Sequence, residues 1–328
     1  MSRRSVTIRR ESWPIAGTFT IARGSRTEAH IVSVEINEAG CVGHGECVPY
    51  PRYGETVAGV ADAISEISEA VESGIGRDEL QTLLPAGAAR NAVDCAMWDL
   101  EAKIAGKRVW ELAGLEAPKP VVTAYTISLG TPEAMAESTR KAADRPLLKV
   151  KLGGDGDAER LRAVRRAAPE ARLIVDANEA WRAGELKSLM AAAGRQDVEL
   201  IEQPLPASAD ESLSRMKHKV PIFADESVHG LDSLQHVTGR YDGINIKLDK
   251  TGGLTEALTL ARRARELDLA IMVGCMVGTS LAMAPAVMLT GLAQVVDLDA
   301  PLLLARDRTP GIRYEGSMLM PFGPEVWG

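Results

Sequence analysis

Lys149, Lys151, Asp176, Glu202, Asp225 and Lys247 each close a short run of apolar and β-branched residues, so each falls where a strand should end. Three carboxylates gathered in one place repel one another unless a cation sits between them. All-oxygen ligation by Asp176, Glu202 and Asp225 suits a hard ion with positions left open for water and substrate, which makes Mg²⁺ the first choice and Mn²⁺ a substitute. The lysines flank this acidic centre in chain order, Lys149 and Lys151 before it and Lys247 after it. Side chains alternate along a strand, so Lys149 and Lys151 point to one side, here the interior. A single lysine after a strand is usually solvated, and a single acid there often caps a helix. The ordered set of six is what argues for a site. A further pair, Asp297 and Asp299, is also spaced i, i+2 on one face, with a loop-capping pair as its alternative reading.

The elements that must position these residues repeat from about residue 120. Each unit is a short β-branched run, a polar tip and an amphipathic helical stretch. Strands are expected at 122–129, 147–152, 173–176, 198–202, 221–225, 243–248, 270–275 and 294–298, with helices such as 132–143, 158–168 and 254–267 between them. The spacing, roughly 22 to 26 residues, is the strand-plus-helix length of a parallel barrel, whose chemistry sits at the carboxyl ends of its strands. A doubly wound sheet would need a phosphate loop after its first strand, and Thr126-Ile127-Ser128-Leu129-Gly130 is no such loop. Residues 1–118 read differently, with strands at 5–10, 30–37 and 40–47 followed by helices at 56–72 and 88–105, the last stopped by Gly106. The expected fold is therefore α/β, a barrel over 119–303 with an α+β capping domain over 1–118 that the segment from about 304 to 328 rejoins.

With 45% hydrophobic and 25% charged residues the composition is that of a soluble globular protein. A formal charge of -7 argues against general nucleic-acid binding and favours small-molecule partners. Arg3-Arg4 and Arg9-Arg10 lack the apolar stretch that would make them an export signal, and no apolar run is long enough to span a membrane. Cys41, Cys47, Cys95 and Cys275 have neither zinc-ligand spacing nor disulfide density, so reduced thiols in the cytoplasm are expected.

Lys149-Val150-Lys151, Val175-Asp176-Ala177-Asn178, Ile201-Glu202-Gln203-Pro204, Ala224-Asp225-Glu226-Ser227 and Asn245-Ile246-Lys247 resemble the strand-end signatures of the enolase superfamily, in its muconate-lactonizing subgroup. A mandelate-racemase-type site would carry a histidine on strand seven, and 270–275 contains none. The resemblance covers nearly the whole chain. It implies a (β/α)7β modified TIM barrel whose mouth is closed by the cap.

It also implies proton removal beside a carboxylate, where the resulting enolate needs concentrated positive charge. Asp176, Glu202 and Asp225 would hold the metal, Lys149 would add a second positive contact, and Lys151 and Lys247 would work from opposite faces of one α-carbon. A basic lysine must be neutral, so burial beside a metal and another lysine is expected to lower its pKa. Asp297 and Asp299 resemble the pair by which dipeptide epimerases hold the free ammonium of the first residue. Residues 21–26 and 50–55 are similar to the two mobile cap loops of bacterial epimerases of L-Ala-D/L-Glu, which puts Arg26 at the glutamate side chain and Thr126 and Cys275 among substrate contacts. The family implies murein-peptide recycling. An o-succinylbenzoate synthase or N-acylamino-acid racemase would share the metal and lysines without needing the aspartate pair, and a non-catalytic metabolite-binding barrel would need neither. Self-association is left open.

Overall fold

Two long alternating segments open the chain and pair with each other. The computed structural model describes residues 4–328, so Arg3 of the first arginine pair lies outside it. Strands β1 (Ser5–Ile21) and β2 (Gly24–Glu38) run antiparallel, and β3 (Cys41–Cys47) joins β2. Val32, Val34 and Ile36 alternate onto one face of the sheet, where they pack with Val60, Ile64 and Met97 of two helices, Val57–Glu72 and Ala88–Ala105. Gly106 stops the second helix in the left-handed conformation, as expected. β1 and β2 run far beyond the expected 5–10 and 30–37: Trp13, Ile15, Phe19 and Ile21 of the outer half of β1 pack with Ala29, Val277 and Leu304, but the register shift between Pro14 and Phe19 breaks the alternation that would have marked the strand. Segment 21–26 is accordingly a hairpin tip and not an irregular loop, with Ile21 paired to Gly24. Segment 50–55 holds a single 3₁₀ turn, Pro51–Tyr53.

The expected first barrel strand, 122–129, divides into β4 (Val121–Val122) and β5 (Tyr125–Ile127). Seven more strands follow: β6 (Leu147–Lys151), β7 (Arg172–Asp176), β8 (Val198–Glu202), β9 (Ile222–Ala224), β10 (Gly243–Ile246), β11 (Ala270–Val273) and β12 (Val295–Val296). β5 to β12 form one sheet in chain order, with parallel neighbours. The sheet curls until its ends meet: Ala124 N donates to Val296 O and Leu298 N to Thr123 Oγ1, both at 2.8 Å. The fold is thus α/β, a modified TIM barrel beneath an amino-terminal antiparallel sheet with helices. β4 instead pairs with a carboxy-terminal hairpin, β13 (Tyr314–Glu315) and β14 (Met318–Leu319). No helix among the described residues is long and apolar enough to cross a membrane.

Register explains why the charges converge. Ala124, Leu147, Ile174, Leu200, Phe223 and Met272 point inward and form an apolar plug, while their neighbours Leu148, Leu173, Val175 and Ile201 face the surrounding helices. One step of two residues up each strand, the inward position becomes Lys149, Asp176 and Glu202, and Asp225 follows two residues after Phe223. The pairings Lys151 with Asp176, Asp176 with Glu202 and Glu202 with Phe223 keep these ends level.

Candidate active site

Each side chain at this barrel end is fixed by the strand beneath it. Asp176, Glu202 and Asp225 are buried, and one oxygen from each lies within 4.8 Å of the others. Lys151 Nζ donates to Asp176 Oδ2 at 2.6 Å, and Lys247 Nζ to Asp225 Oδ2 at 2.7 Å. The two lysines therefore stand at opposite ends of the carboxylate arc. Lys149 sits inside it, with Nζ 2.6 Å from Asp297 Oδ2, 2.7 Å from Glu202 Oε2 and 3.5 Å from Asp176 Oδ2.

The titration directions follow from this crowding. Burial disfavours the charge on Asp176, but Lys151 and Lys149 outweigh it and hold the carboxyl at about 2. Burial likewise opposes the charge on Asp225, yet Lys247 and Lys250 hold it well below the usual range. Glu202 is pushed up by burial and by Asp176. Burial alone would lower Lys149 and Lys247, but Asp297 and Glu202 around the first and Asp225 and Glu202 around the second push both well up. The expected lowering is for Lys151 and Lys247 beside a bound metal. With the carboxylates as counter-charges Lys149 and Lys247 favour the protonated form, and a cation neutralising the same carboxylates would remove that bias.

The donor set fits a divalent ion. Glu202 Oε2 is buried and, despite its closeness to Lys149 Nζ, has no well-aligned hydrogen-bond partner among the described residues. Its other oxygen accepts from Asn245 Nδ2 at 2.7 Å. Asp176 accepts from Asn178 N at 2.9 Å and from Asn178 Nδ2 at 3.1 Å. Three converging carboxylates oriented by side-chain amides are what a hard oxygen-seeking ion requires.

Sequence reasoning missed Lys250. Its Nζ donates to Asp225 O at 2.5 Å, Asp225 Oδ1 at 2.6 Å and Asn245 O at 3.0 Å, which leaves Oδ2 as the oxygen that Asp225 turns toward Lys247. The signal was available, since i+3 spacing in a helical turn places Lys250 on the same side as Lys247.

The remaining expected contacts divide into two groups. Arg26, Lys151, Asp225, Lys247 and Cys275 line one small cavity of about 40 Å³, walled by Tyr50 and Tyr53 of the cap. Arg26 lies over the Tyr50 ring at 5.5 Å, and no ion pair or hydrogen bond to it is found among the described residues. Asp297, Asp299 and Thr126 sit deeper. Asp299 accepts from Thr126 N at 2.7 Å, and burial together with Asp297 pushes it up to about 7. Asp297 Oδ1 is buried without a hydrogen-bond partner among the described residues, and Cys275 Sγ donates to the Asp297 carbonyl at 3.2 Å.

Residues 134–315 match the enolase C-terminal domain-like family, and residues 3–114 match the mandelate racemase / muconate lactonizing enzyme, N-terminal domain. The chain belongs to the enolase superfamily. Among its relatives in that superfamily, the L-Ala-D/L-Glu epimerase of Escherichia coli (strain K12) is 48% identical, with 95% of this chain and 98% of that one covered. An N-acetyl-D-glutamate racemase of Pseudoalteromonas sp is 42% identical over 91% of this chain and 95% of that one. The solved structure of an enolase family member from Agrobacterium tumefaciens with homology to dipeptide epimerases, with bound sodium and L-Ala-L-Glu, superposes with a TM-score of 0.97 at 53% identity. It covers 99% of this chain and 100% of that one. The dipeptide epimerase of Enterococcus faecalis V583, complexed with Mg and L-Leu-L-Tyr, gives a TM-score of 0.91 at 30% identity, covering 98% of each chain.

Proposed function

We propose that this protein is an isomerase that inverts the α-carbon of the carboxy-terminal residue of L-Ala-D/L-Glu, and of related dipeptides, by 1,1-proton transfer between Lys151 and Lys247. The observation that carries this reading is the placement of those two lysines at opposite ends of a buried three-carboxylate arc, both lining a cavity that also contains Arg26. Mg²⁺ held by Asp176, Glu202 and Asp225, with Mn²⁺ as a substitute, supplies the positive charge that an enolate needs. Lys149 adds a fixed ammonium beside the substrate carboxylate. Lys151 and Lys247 exchange roles with direction of reaction, one taking the α-proton while the other returns one to the opposite face.

Asp297 and Asp299 receive the ammonium of the first residue. A buried carboxylate oxygen without a partner beside an aspartate pushed up to about 7 is a place where a cation is missed. Thr126 holds Asp299 in place through its backbone N–H, and the Cys275 thiol holds the turn bearing Asp297. Arg26 takes the glutamate side-chain carboxylate, since its guanidinium faces the cavity uncommitted. An N-acylamino-acid racemase would bring no ammonium to the aspartate pair and would leave Asp297 Oδ1 and the buried Asp299 without a substrate cation, with Lys149 meeting Asp297 Oδ2 alone. We assign residues 1–118 with 304–328 to the cap and 119–303 to the barrel, and the cytoplasm as the location, in keeping with four free cysteines.

The deciding experiment is α-proton exchange in deuterated water with Mg²⁺, run across a dipeptide library together with N-acetyl-glutamate and o-succinylbenzoate precursors. Exchange of L-Ala-L-Glu that a chelator abolishes is expected. Faster exchange of N-acetyl-glutamate than of any dipeptide would overturn the substrate assignment.

A further inference from the structure

Glu179 lies three residues beyond Asp176, at the turn that leaves β7. It and Asn178 both hold left-handed backbone, with φ of 69° and 44°, a conformation that side-chain-bearing residues keep only when their surroundings impose it. The barrel rim imposes it here. Glu179 N donates to Gln203 O at 2.9 Å, and Ala207 N donates to Glu179 Oε1 at 2.9 Å.

Held this way, the carboxylate faces the cap. Arg52, in the 3₁₀ turn Pro51–Tyr53, donates Nε to Oε2 and Nη2 to Oε1, each at 2.8 Å, in a fork. Arg23, at the tip of the β1–β2 hairpin, donates Nη1 to Glu179 Oε2 at 3.3 Å and to Asn178 O at 3.0 Å. Both cap segments that wall the cavity therefore end on one carboxylate. The other end of Arg23 meets Glu226 Oε1 at 2.7 Å and Tyr50 OH at 3.2 Å. Because Asn178 also grips Asp176, the same two-residue turn touches the metal-ligand set on one side and both cap segments on the other.

Surface ion pairs seldom matter, and the Arg52 side chain is 39% exposed. The Glu179 side chain, however, is only 10% exposed and serves two guanidinium groups in fixed geometry. We infer that Glu179 is a positioning residue that clasps the hairpin tip and the 3₁₀ turn together over the substrate cavity. Arg23 and Arg52 are thereby withdrawn from substrate binding, leaving Arg26 as the cap arginine free to take an acidic side chain. The inference rests on reading the cavity as the substrate site.

Hydrogen–deuterium exchange of segments 21–26 and 50–55, measured without ligand, tests the clasp directly. Glu179→Gln keeps the acceptor for Ala207 N and loses the charge; Glu179→Gly relieves the backbone and loses the whole contact, so its fold is not at risk. Both variants should exchange faster in both segments, and KM for L-Ala-L-Glu should rise about tenfold or more, the loss of one charge-assisted contact, with kcat little changed. In the double variant Arg52→Glu/Glu179→Arg, protection of 50–55 should return while that of 21–26 should not, because Arg23 would then face an arginine. Unchanged exchange, or faster exchange in one segment alone, overturns the clasp. Since exchange is read without substrate, failure to turn over L-Ala-L-Glu would count against the proposed reaction and not against this contact.

Discussion

At the scale of single residues, the site sets buried lysines against buried carboxylates. Lys151 and Lys247 each touch a different carboxylate, so removing one leaves the other in place. Lys151→Ala and Lys247→Ala should each abolish epimerisation, while each still exchanges the α-proton of one stereoisomer through the surviving lysine. Proton NMR of each isomer in deuterated water reads this, and interconversion of both isomers at the parent rate by either variant would exclude the two-base mechanism. Arg26 calls for a different comparison. Replacing it with leucine removes a charge-assisted contact worth about 1.5 to 3 kcal/mol, a ten- to hundredfold loss in kcat/KM for L-Ala-L-Glu at about 1.4 kcal/mol per decade. A dipeptide with an apolar second residue should lose far less. Equal losses on both substrates would remove Arg26 from the specificity assignment.

At the scale of elements, the least tolerant contact is that between β3 and the helix Ala88–Ala105. A Cβ on Gly45 would lie 1.9 Å from Ala92 O, and one on Gly43 would lie 2.1 Å from Ala96 O, so backbone meets backbone there. Gly45→Ala should cost about 1 to 3 kcal/mol or more through forced separation of the two elements, readable as a lower midpoint in urea. Wild-type stability in this variant would mean that the sheet can shift without loss. The barrel strands were legible because an apolar run ending in a charge marks both a strand and its mouth end. Asp176, Glu202 and Asp225 follow from that alone. The hairpin formed by the outer halves of β1 and β2 was not legible, since the break between Pro14 and Phe19 interrupts its alternation and its buried face, Ile15, Phe19 and Ile21, packs on Val277 and Leu304 far along the chain. Glu179 escaped notice for another reason. Its role depends on left-handed backbone and on two arginines more than 120 residues away in the chain, and spacing records neither.

At the scale of the whole molecule, the cap is joined to the barrel through buried acids that hold their protons to higher pH than free carboxyls do. Asp249, just past β10, accepts from Val48 N at 2.9 Å and from Asn91 Nδ2 at 2.8 Å, both through Oδ1. Burial pushes it up to about 7, helped by Glu55 and Glu46 and opposed by those two hydrogen bonds. Asp94, on the same cap helix as Asn91, accepts from Thr255 N at 3.0 Å and Thr255 Oγ1 at 2.6 Å, and burial raises it to about 6. A carboxyl whose folded pKa lies above its unfolded one binds more protons folded than unfolded between the two values. Its contribution to stability is complete below about pH 4 and is lost progressively as pH rises from there to the folded value of 6 to 7. At about 1.4 kcal/mol for each tenfold change in proton affinity, Asp249 alone sets a ceiling of roughly 4 kcal/mol on that loss. Unfolding by urea should therefore grow easier from pH 5 to pH 8. Asp249→Asn keeps the Oδ1 acceptor for both donors and removes the ionisable proton, so its stability should vary less over the same range and should exceed the parent's at pH 8. A variant as pH-dependent as the parent would place the titrating group elsewhere in the interface.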